Sequence, residues 1–219
     1  MKNRQYAVIG MGRFGTSVAT TLVNSGQEVL VVDSEEERIQ KVAECFTHAV
    51  VADTTDEASL TALGIRNFDM VVVAIGHDVQ ASVLTTLLLK EMGVKHIVAK
   101  ATSVLHGKML DKVGADQVVF PERDMGQRIA HNLMSTNIID YFEVASDLGI
   151  IEVEVHGKLA GKSLLESNLR EEYGITVIAI RRNGKLSLSP SPSEKLVESD
   201  RLILVGDNDG IQRFEIKYS

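Results

Sequence analysis

The chain has 219 residues, of which 44% are hydrophobic and 24% are charged, and its formal net charge at pH 7 is −7. This is the composition of a soluble globular protein, long enough for one medium domain with a smaller partner. The acidic balance argues against a nucleic-acid binder, which would carry a basic face. With a single cysteine, no signal-peptide core and no run of 18 apolar residues, we expect a protein of a reducing compartment without a membrane span.

Strand and helix patterns alternate over the first 120 residues. Six short apolar segments each precede a helical pattern, and they read YAVIG, QEVLVVD, HAVVAD, FDMVVVAIG, HIVAK and DQVVF. The second helix follows Ser34, and Glu37 three residues later completes the pattern of a capping box. The alternation predicts an α/β fold with a Rossmann-type, doubly wound, six-stranded parallel sheet.

The pattern changes after Pro121. A long amphipathic helix is predicted over PERDMGQRIAHNLMSTNIIDYF, from this proline to Phe142, with a break near Ser135–Asn137 and an apolar stripe along one face. The stripe consists of Met125, Ile129, Leu133 and Met134. Short strands and turns follow, among them RNGK, which is typical of a type I′ hairpin, and DRLILVGD as the last strand. We therefore expect a Rossmann domain with this helix in residues 1–134 and a small α+β domain in residues 135–219.

The segment GMGRFG, Gly10–Gly15, lies between the first strand and the first helix, and the second strand ends in Asp33. This context matches the dinucleotide-binding fingerprint, although the same glycines in isolation would indicate only a tight turn. The helix start offers free N–H groups to phosphates. Asp33 would accept hydrogen bonds from ribose hydroxyls and repel a 2′-phosphate, which argues against NADP.

Arg13 is the unusual residue of this loop. The helix start already serves the middle phosphates of a dinucleotide, so a further cation suits a terminal phosphate, as in ATP. A charge-assisted hydrogen bond contributes about 1.5–3 kcal/mol, enough to separate a triphosphate from a diphosphate. The alternative is an arginine that is merely exposed in the first turn of a helix.

Two further loops follow strands at the edge where open α/β sheets bind ligands. In the first, Asp53 and Thr54 would meet a base edge, while Thr55 or Asp56 would cap the next helix. In the second, AIGHD, Gly76 indicates a close approach to the adenosine from the other side.

The groups that a dehydrogenase needs are missing from the sequence. Such an enzyme uses a proton-transfer group and a substrate cleft beside its nicotinamide. The six histidines do not cluster with acids at the spacing of a metal site or a catalytic triad. We therefore expect a protein that binds and senses and is not an enzyme. A redox sensor that reads NADH against NAD, or a small NAD-dependent reductase, remains the alternative.

Several segments together, among them YAVIGMGRFG, NFDMVVVAIGHDVQAS and KVGADQVVFPERDMGQRIA, resemble the RCK or KTN (TrkA-type) regulatory proteins over nearly the whole chain. These are cytosolic gating subunits of Ktr and Trk potassium uptake systems. The resemblance implies binding of ATP and ADP, or of NAD and NADH. It also implies homodimers that assemble into an octameric ring, and a cytoplasmic, peripheral position under a membrane potassium-translocating subunit.

The resemblance also implies roles for particular residues. Arg13 would contact the γ-phosphate of ATP, and Glu122 of PERDMG would lie near the phosphates at a dimer interface and hold Mg²⁺ or another cation. Glu122 is equally explained as a first-turn glutamate that favours the helix dipole. The stripe after Pro121 would be a dimer contact or core packing. The whole predicted nucleotide site comprises Gly10, Met11, Gly12, Arg13, Phe14, Gly15, Asp33, Ser34, Asp53, Thr54, Ala74, Ile75, Gly76, Lys100 and Glu122.

The second domain resembles the RCK C-terminal domain, which implies a cyclic di-AMP site at a dimer interface. The matching positions are Leu164, Leu165, Asn168, Arg170, Ile175, Thr176 and Pro190. Arg170 would meet a phosphate, and the apolar residues would flank adenine. Ser167 stands where an aspartate is common in the family. The alternative is a hydrophobic dimer seam with an incidental arginine.

Overall fold

A computed structural model describes residues 4–134, 138–145 and 147–218, with the side chains at 131, 134, 138 and 143 outside the description. The chain divides into two compact units, Met1–Arg123 and Asp124–Ser219. The predicted domain boundary after residue 134 and the predicted helix break at Ser135–Asn137 fall on undescribed residues and stay predictions. Beyond the break the helix prediction is wrong, because residues 138–142 lie in a β-strand, Ile138–Ala145. None of the described helices is both long and apolar enough to cross a membrane.

The first unit contains the predicted doubly wound sheet, which confirms the fold class. Its strands pair in parallel in the order β3-β2-β1-β4-β5-β6. The elements are β1 (Gln5–Ile9), α1 (Arg13–Asn24), β2 (Glu28–Asp33), α2 (Glu36–Val42), β3 (His48–Val51), α3 (Glu57–Ala62), β4 (Met70–Val73), α4 (Val79–Glu91), β5 (Ile97–Lys100), α5 (Val104–Val113) and β6 (Gln117–Val119). The helix α6 (Pro121–Met134) follows, and the boundary between the two units lies within it.

Apolar side chains cover the central strands on both faces, as the nearly continuous apolar strand sequences predict. Along β1, Ala7 and Ile9 belong to one core cluster, while Val8 belongs to the cluster on the opposite face. Val73 and Val72 of β4 divide in the same way. The strand ends are thereby held in one layer, and the loops that follow them come together at one edge.

The predicted capping box at the start of α2 is wrong. The helix begins at Glu36 after Glu35, and its N-cap side chain makes no capping hydrogen bond in the described structure. The Asp33 carboxylate instead accepts the Glu35 N–H at 2.9 Å. A buried acid at the end of β2 therefore organises this turn, in place of the Ser34 hydroxyl.

The second unit is an antiparallel sheet in the order β10-β9-β11-β8-β7 with helices beside it. Its elements are β7 (Ile138–Ala145), β8 (Leu148–Glu154), α7 (Leu164–Ser167), α8 (Leu169–Tyr173), β9 (Thr176–Arg182), β10 (Lys185–Leu188), β11 (Arg201–Asp207) and α9 (Asn208–Tyr218). The hairpin prediction is confirmed, because Asn183 and Gly184 both have positive φ angles, 51° and 77°, as a type I′ turn requires.

Sequence analysis missed the last helix. It ended the domain at the strand DRLILVGD, whereas α9 continues the chain and buries Ile211 and Phe214 in the core of the second unit. The Phe214 ring meets the Tyr173 ring edge-on, with 5.9 Å between the centroids. Ile211, Phe214 and Tyr218 recur at helical spacing toward this core, a signal that the sequence analysis did not use.

The apolar stripe of α6 is exposed. Met125, Ile129 and Leu133 lie at the surface of the chain, and the Met134 side chain lies outside the described residues. For the three described residues, core packing within the chain is therefore ruled out. A dimer contact remains the prediction for this stripe.

A buried ion pair anchors the long loop before β11. Asp200 is only 2% exposed and accepts two hydrogen bonds from Arg182, at 2.8 and 2.7 Å, and one from the Val197 N–H at 2.8 Å. Burial alone would raise the pKa of the Asp200 carboxyl, but these hydrogen bonds outweigh it and lower that pKa. Arg182 also donates to the more exposed Glu194 at 3.2 Å.

We expect Asp200→Asn to lower the free energy of unfolding by about 2–3 kcal/mol, because it removes the buried counter-charge of Arg182 and leaves only the more exposed Glu194. Glu194→Gln removes an exposed carboxylate from the same arginine and should cost no more than about 1 kcal/mol. Urea unfolding followed by circular dichroism measures both. Equal losses for the two variants would contradict the assignment of Asp200 as the anchor.

Candidate nucleotide-binding site

A cavity of about 580 Å³ opens at the carboxyl edge of the parallel sheet. Most of the predicted nucleotide site lines it, with contributions from the loops after β1 to β5 and from the start of α6. These lining residues are Gly10, Gly12, Arg13, Phe14, Asp33, Ser34, Asp53, Thr54, Ala74, Ile75, Gly76, Lys100 and Glu122. Met11 and Gly15 do not line the cavity and are buried behind it.

Three glycines shape the loop after β1 in different ways. Gly10 has φ +96°, and a Cβ at Gly15 would lie 1.9 Å from the Gly10 carbonyl oxygen, so neither position accepts a side chain. A Cβ at Gly12 would have no described atom within 4 Å apart from those of its chain neighbours. The open side of the loop is therefore at Gly12, where the 12-residue helix α1 begins without a side-chain cap or an acidic residue in its first turn. Such a helix start favours an anion.

Asp33 links this loop to the second strand. Its carboxylate is 4% exposed and accepts the Met11 N–H at 2.6 Å on Oδ2 and the Glu35 N–H at 2.9 Å on Oδ1. Arg38 Nη1 lies 3.5 Å from Oδ2, and Arg38 also pairs with Glu35 at 2.8 Å. Sequence analysis missed Arg38, although it lines the cavity. A cation in the first helix after the acid that ends β2 is the signal that would have indicated it.

In the loop after β3, the capping role falls to Asp56, which accepts the Ser59 N–H at 2.8 Å. The Thr54 hydroxyl is buried and shares a hydrogen bond of 2.9 Å with the Thr85 hydroxyl of α4. Asp53 is exposed, and one of its oxygens accepts the N–H and the hydroxyl of Thr55. Asp53 is therefore better placed than the Thr54 hydroxyl to meet a base edge.

Lys100 and Glu122 form an ion pair inside the cavity, with 2.5 Å between Nζ and Oε1. The hydrogen bond from Lys100 lowers the pKa of the Glu122 carboxyl, against a smaller opposing effect of burial. Among the described residues, no group of three His, Cys, Asp or Glu side chains is placed to hold a metal ion. A cation at Glu122 would need further ligands from a nucleotide or from a second chain, and this site stays a prediction.

Arg13 is the first residue of α1, is exposed and lines the cavity. In the part of the chain that the structure describes, its guanidinium has no carboxylate within 4 Å. Arg13 therefore differs from Lys100 and Arg38, which both pair with carboxylates, and an anionic ligand would meet no competitor there.

A buried histidine supports the loop after β5. His106 is 1% exposed, and its Nδ1 faces both the Thr102 N–H at 3.3 Å and the Thr102 hydroxyl at 3.2 Å. Thr102 lines the cavity. Because Nδ1 accepts the N–H, the ring is neutral and carries its proton on Nε2, which has no partner among the described residues. Burial lowers the pKa of His106.

We expect this histidine to make the fold less stable as the pH falls from 7 to 5.5. In the unfolded chain the imidazole takes up a proton near pH 6.5, whereas the buried ring resists protonation, so protons favour unfolding. The free energy of unfolding should fall by up to about 1.4 kcal/mol per pH unit. His106→Asn keeps an acceptor near Nδ1 and does not titrate, so urea unfolding should show a shallower pH dependence. Equal pH dependences in the two proteins would contradict this role.

In the second unit, the predicted cyclic di-AMP residues occupy varied positions. Leu165 is 73% exposed, and Arg170 and Thr176 are also at the surface, whereas Ile175 is fully buried in the core. The remaining positions are Leu164 and Pro190, which are partly buried, and Asn168, an exposed residue with φ 52° between α7 and α8. Ser167 is buried and donates to the Leu164 carbonyl at 2.6 Å. The Ser167 side chain, at the position where the family commonly has an aspartate, thus bonds to the backbone of its own helix.

Two family models match the chain in the order of its two units. The TrkA-N domain matches residues 6–121, and the TrkA-C domain matches residues 148–216. The chain belongs to the TrkA-N and TrkA-C family. The resemblance drawn from GMGRFG, AIGHDVQAS and PERDMG is therefore confirmed.

Relatives of known name cover nearly the whole chain. Ktr system potassium uptake protein C of Bacillus subtilis is 46% identical over 97% of this chain and 96% of that protein. Protein A of the same system is 46% identical over 98% of this chain and 97% of its own. Among solved structures, the GsuK RCK domain aligns with a TM-score of 0.69 and 21% identity, over all of this chain and 48% of that one. That likeness supports the fold.

Proposed function

We propose that this chain is the nucleotide-binding regulatory subunit of a Ktr-type potassium uptake system. The observation that carries the proposal is the 46% identity to two Ktr proteins over nearly their whole length. The cavity that most of the predicted nucleotide-site residues line supports it. Its partner is a membrane subunit that translocates potassium, and the chain acts at the cytoplasmic face as a peripheral protein. It binds its ligand without chemical turnover.

The proposed ligands are ATP and ADP. The start of α1 at Gly12 receives the middle phosphates, and Asp33 receives the ribose hydroxyls. Arg13 distinguishes ATP from ADP because its guanidinium, which pairs with no carboxylate among the described residues, meets the terminal phosphate. Glu122 takes part through Mg²⁺ or another cation, with further ligands from the nucleotide.

The proposed mechanism is a population shift within a ring of eight subunits built from dimers. Each nucleotide biases its subunit toward one conformation, and the membrane partner follows the ring. A difference of about 1 kcal/mol per site, added over eight sites, exceeds the roughly 5.5 kcal/mol that a nearly complete switch requires. The exposed stripe of Met125, Ile129 and Leu133 supports a dimer contact through α6.

The central test is the ratio of ATP to ADP affinity in Arg13→Ala. We expect the preference for ATP to fall by about tenfold to a hundredfold, because one charge-assisted hydrogen bond to the terminal phosphate is lost. Isothermal titration calorimetry measures both affinities. Arg66→Ala removes an exposed arginine that does not line the cavity and should leave the ratio unchanged.

An unchanged ratio in Arg13→Ala would contradict the role of Arg13. If the wild-type protein responds to NADH and to neither ATP nor ADP, the redox-sensor alternative replaces the ATP proposal. Consumption of NADH with a carbonyl substrate would instead indicate a reductase.

We further propose that the second unit binds cyclic di-AMP at the surface around Arg170. Two exposed side chains support this proposal. Arg170 supplies a cation on α8, and Leu165 supplies an apolar surface on the preceding helix α7. Cyclic di-AMP should raise the melting temperature of the wild-type protein, and Arg170→Ala should reduce that shift severalfold because a phosphate contact is lost. A wild-type protein without any shift would contradict the proposal.

A further inference from the structure

The ion pair between Lys100 and Glu122 joins one largely buried and one exposed side chain. The Lys100 side chain is 12% exposed, whereas that of Glu122 is 69% exposed and stands in the first turn of α6. Glu122 is therefore free to turn toward water, while Lys100 is held in the wall of the cavity.

The ammonium of Lys100 lies where the phosphates of a nucleotide would arrive. A Cβ built on Gly76 would be 3.4 Å from Nζ, so the amine lies against that loop. The ring centroid of Phe14, in the fingerprint loop, is 5.8 Å from Nζ. The amine is thus bordered by the loops after β1 and β4, which flank the start of α1.

A lysine in this position carries three donors and one positive charge. Glu122 is the one carboxylate within 4 Å of Nζ in the described structure. A ligand phosphate and the Glu122 carboxylate have the same charge sign and the same acceptor chemistry, so both would seek the same donors.

We infer that Glu122 is a resident anion at Lys100 which an incoming phosphate must displace. The strength of this pair would then determine how much affinity a ligand gains from carrying a phosphate. The inference rests on the proposed function and deepens it. A nucleoside without phosphate leaves the pair intact and incurs no penalty. A nucleotide gains Lys100 only by breaking the pair, and its net gain from Lys100 is reduced accordingly.

The test compares Glu122→Gln with the wild-type protein, using adenosine and ADP in buffer that contains EDTA, so that no divalent cation enters. We expect Glu122→Gln to bind ADP about twofold to fivefold more tightly, the range of a partly exposed ion pair, and to bind adenosine unchanged. Glu91→Gln is the matched control. It makes the same change of charge at the far end of α4, outside the cavity, and should leave both affinities unchanged.

A double-mutant cycle separates competition from plain repulsion between Glu122 and the ligand. Lys100→Met alone should weaken ADP binding without affecting adenosine. In that background the gain from Glu122→Gln should fall below twofold, because there is no shared amine left to compete for. An equal gain in both backgrounds would overturn the inference in favour of repulsion.

Three further results would also overturn it. If Glu122→Gln binds ADP in EDTA no more tightly than the wild-type protein does, the carboxylate is not a competitor. The proposed function would still stand. A gain of the same size for adenosine shows that the effect does not depend on phosphate. A wild-type protein that binds neither ATP nor ADP overturns both the inference and the nucleotide proposal.

Discussion

The close approach of α1 to the loop after β1 is the constraint on which the candidate site depends. A Cβ at Gly15 would lie 1.9 Å from the Gly10 carbonyl oxygen, so the helix can start where it does only because residue 15 has no side chain. The Asp33 carboxylate holds the same loop through the Met11 N–H. These two contacts aim the start of α1 at the cavity and leave Gly12 open, and the arrangement of Arg13 and Asp33 follows from them.

The first unit was largely predictable because its signals are local. Continuous apolar strands, a glycine fingerprint and an acid at the end of β2 indicate the sheet and the part of the cavity beside the start of α1, and the residues of GMGRFG were assigned from these signals. Arg38 and His106 were missed because their roles arise from the packing of α2 and α5. The ion pair of Lys100 with Glu122 joins residues that are 22 positions apart, and no periodicity in the sequence indicates such a contact.

The second unit was harder to predict, and the reasons are physical. The turn RNGK was assigned correctly because positive φ angles at both central positions suit Asn and Gly. The segment LLESNLREEY forms two short helices rather than one, because Asn168 adopts φ 52° between them. The terminal helix α9 is held by Ile211, Phe214 and the ring of Tyr173, which are contacts of tertiary structure.

The open space at Gly12 separates folding from ligand recognition within a single loop. Any side chain at Gly10 or Gly15 collides with backbone, so change there damages the domain itself. A methyl group at Gly12 meets no described atom beyond its chain neighbours and projects into the open side of the loop. Under the proposed function, one small substitution at Gly12 would weaken the response to ligand in a chain that still folds.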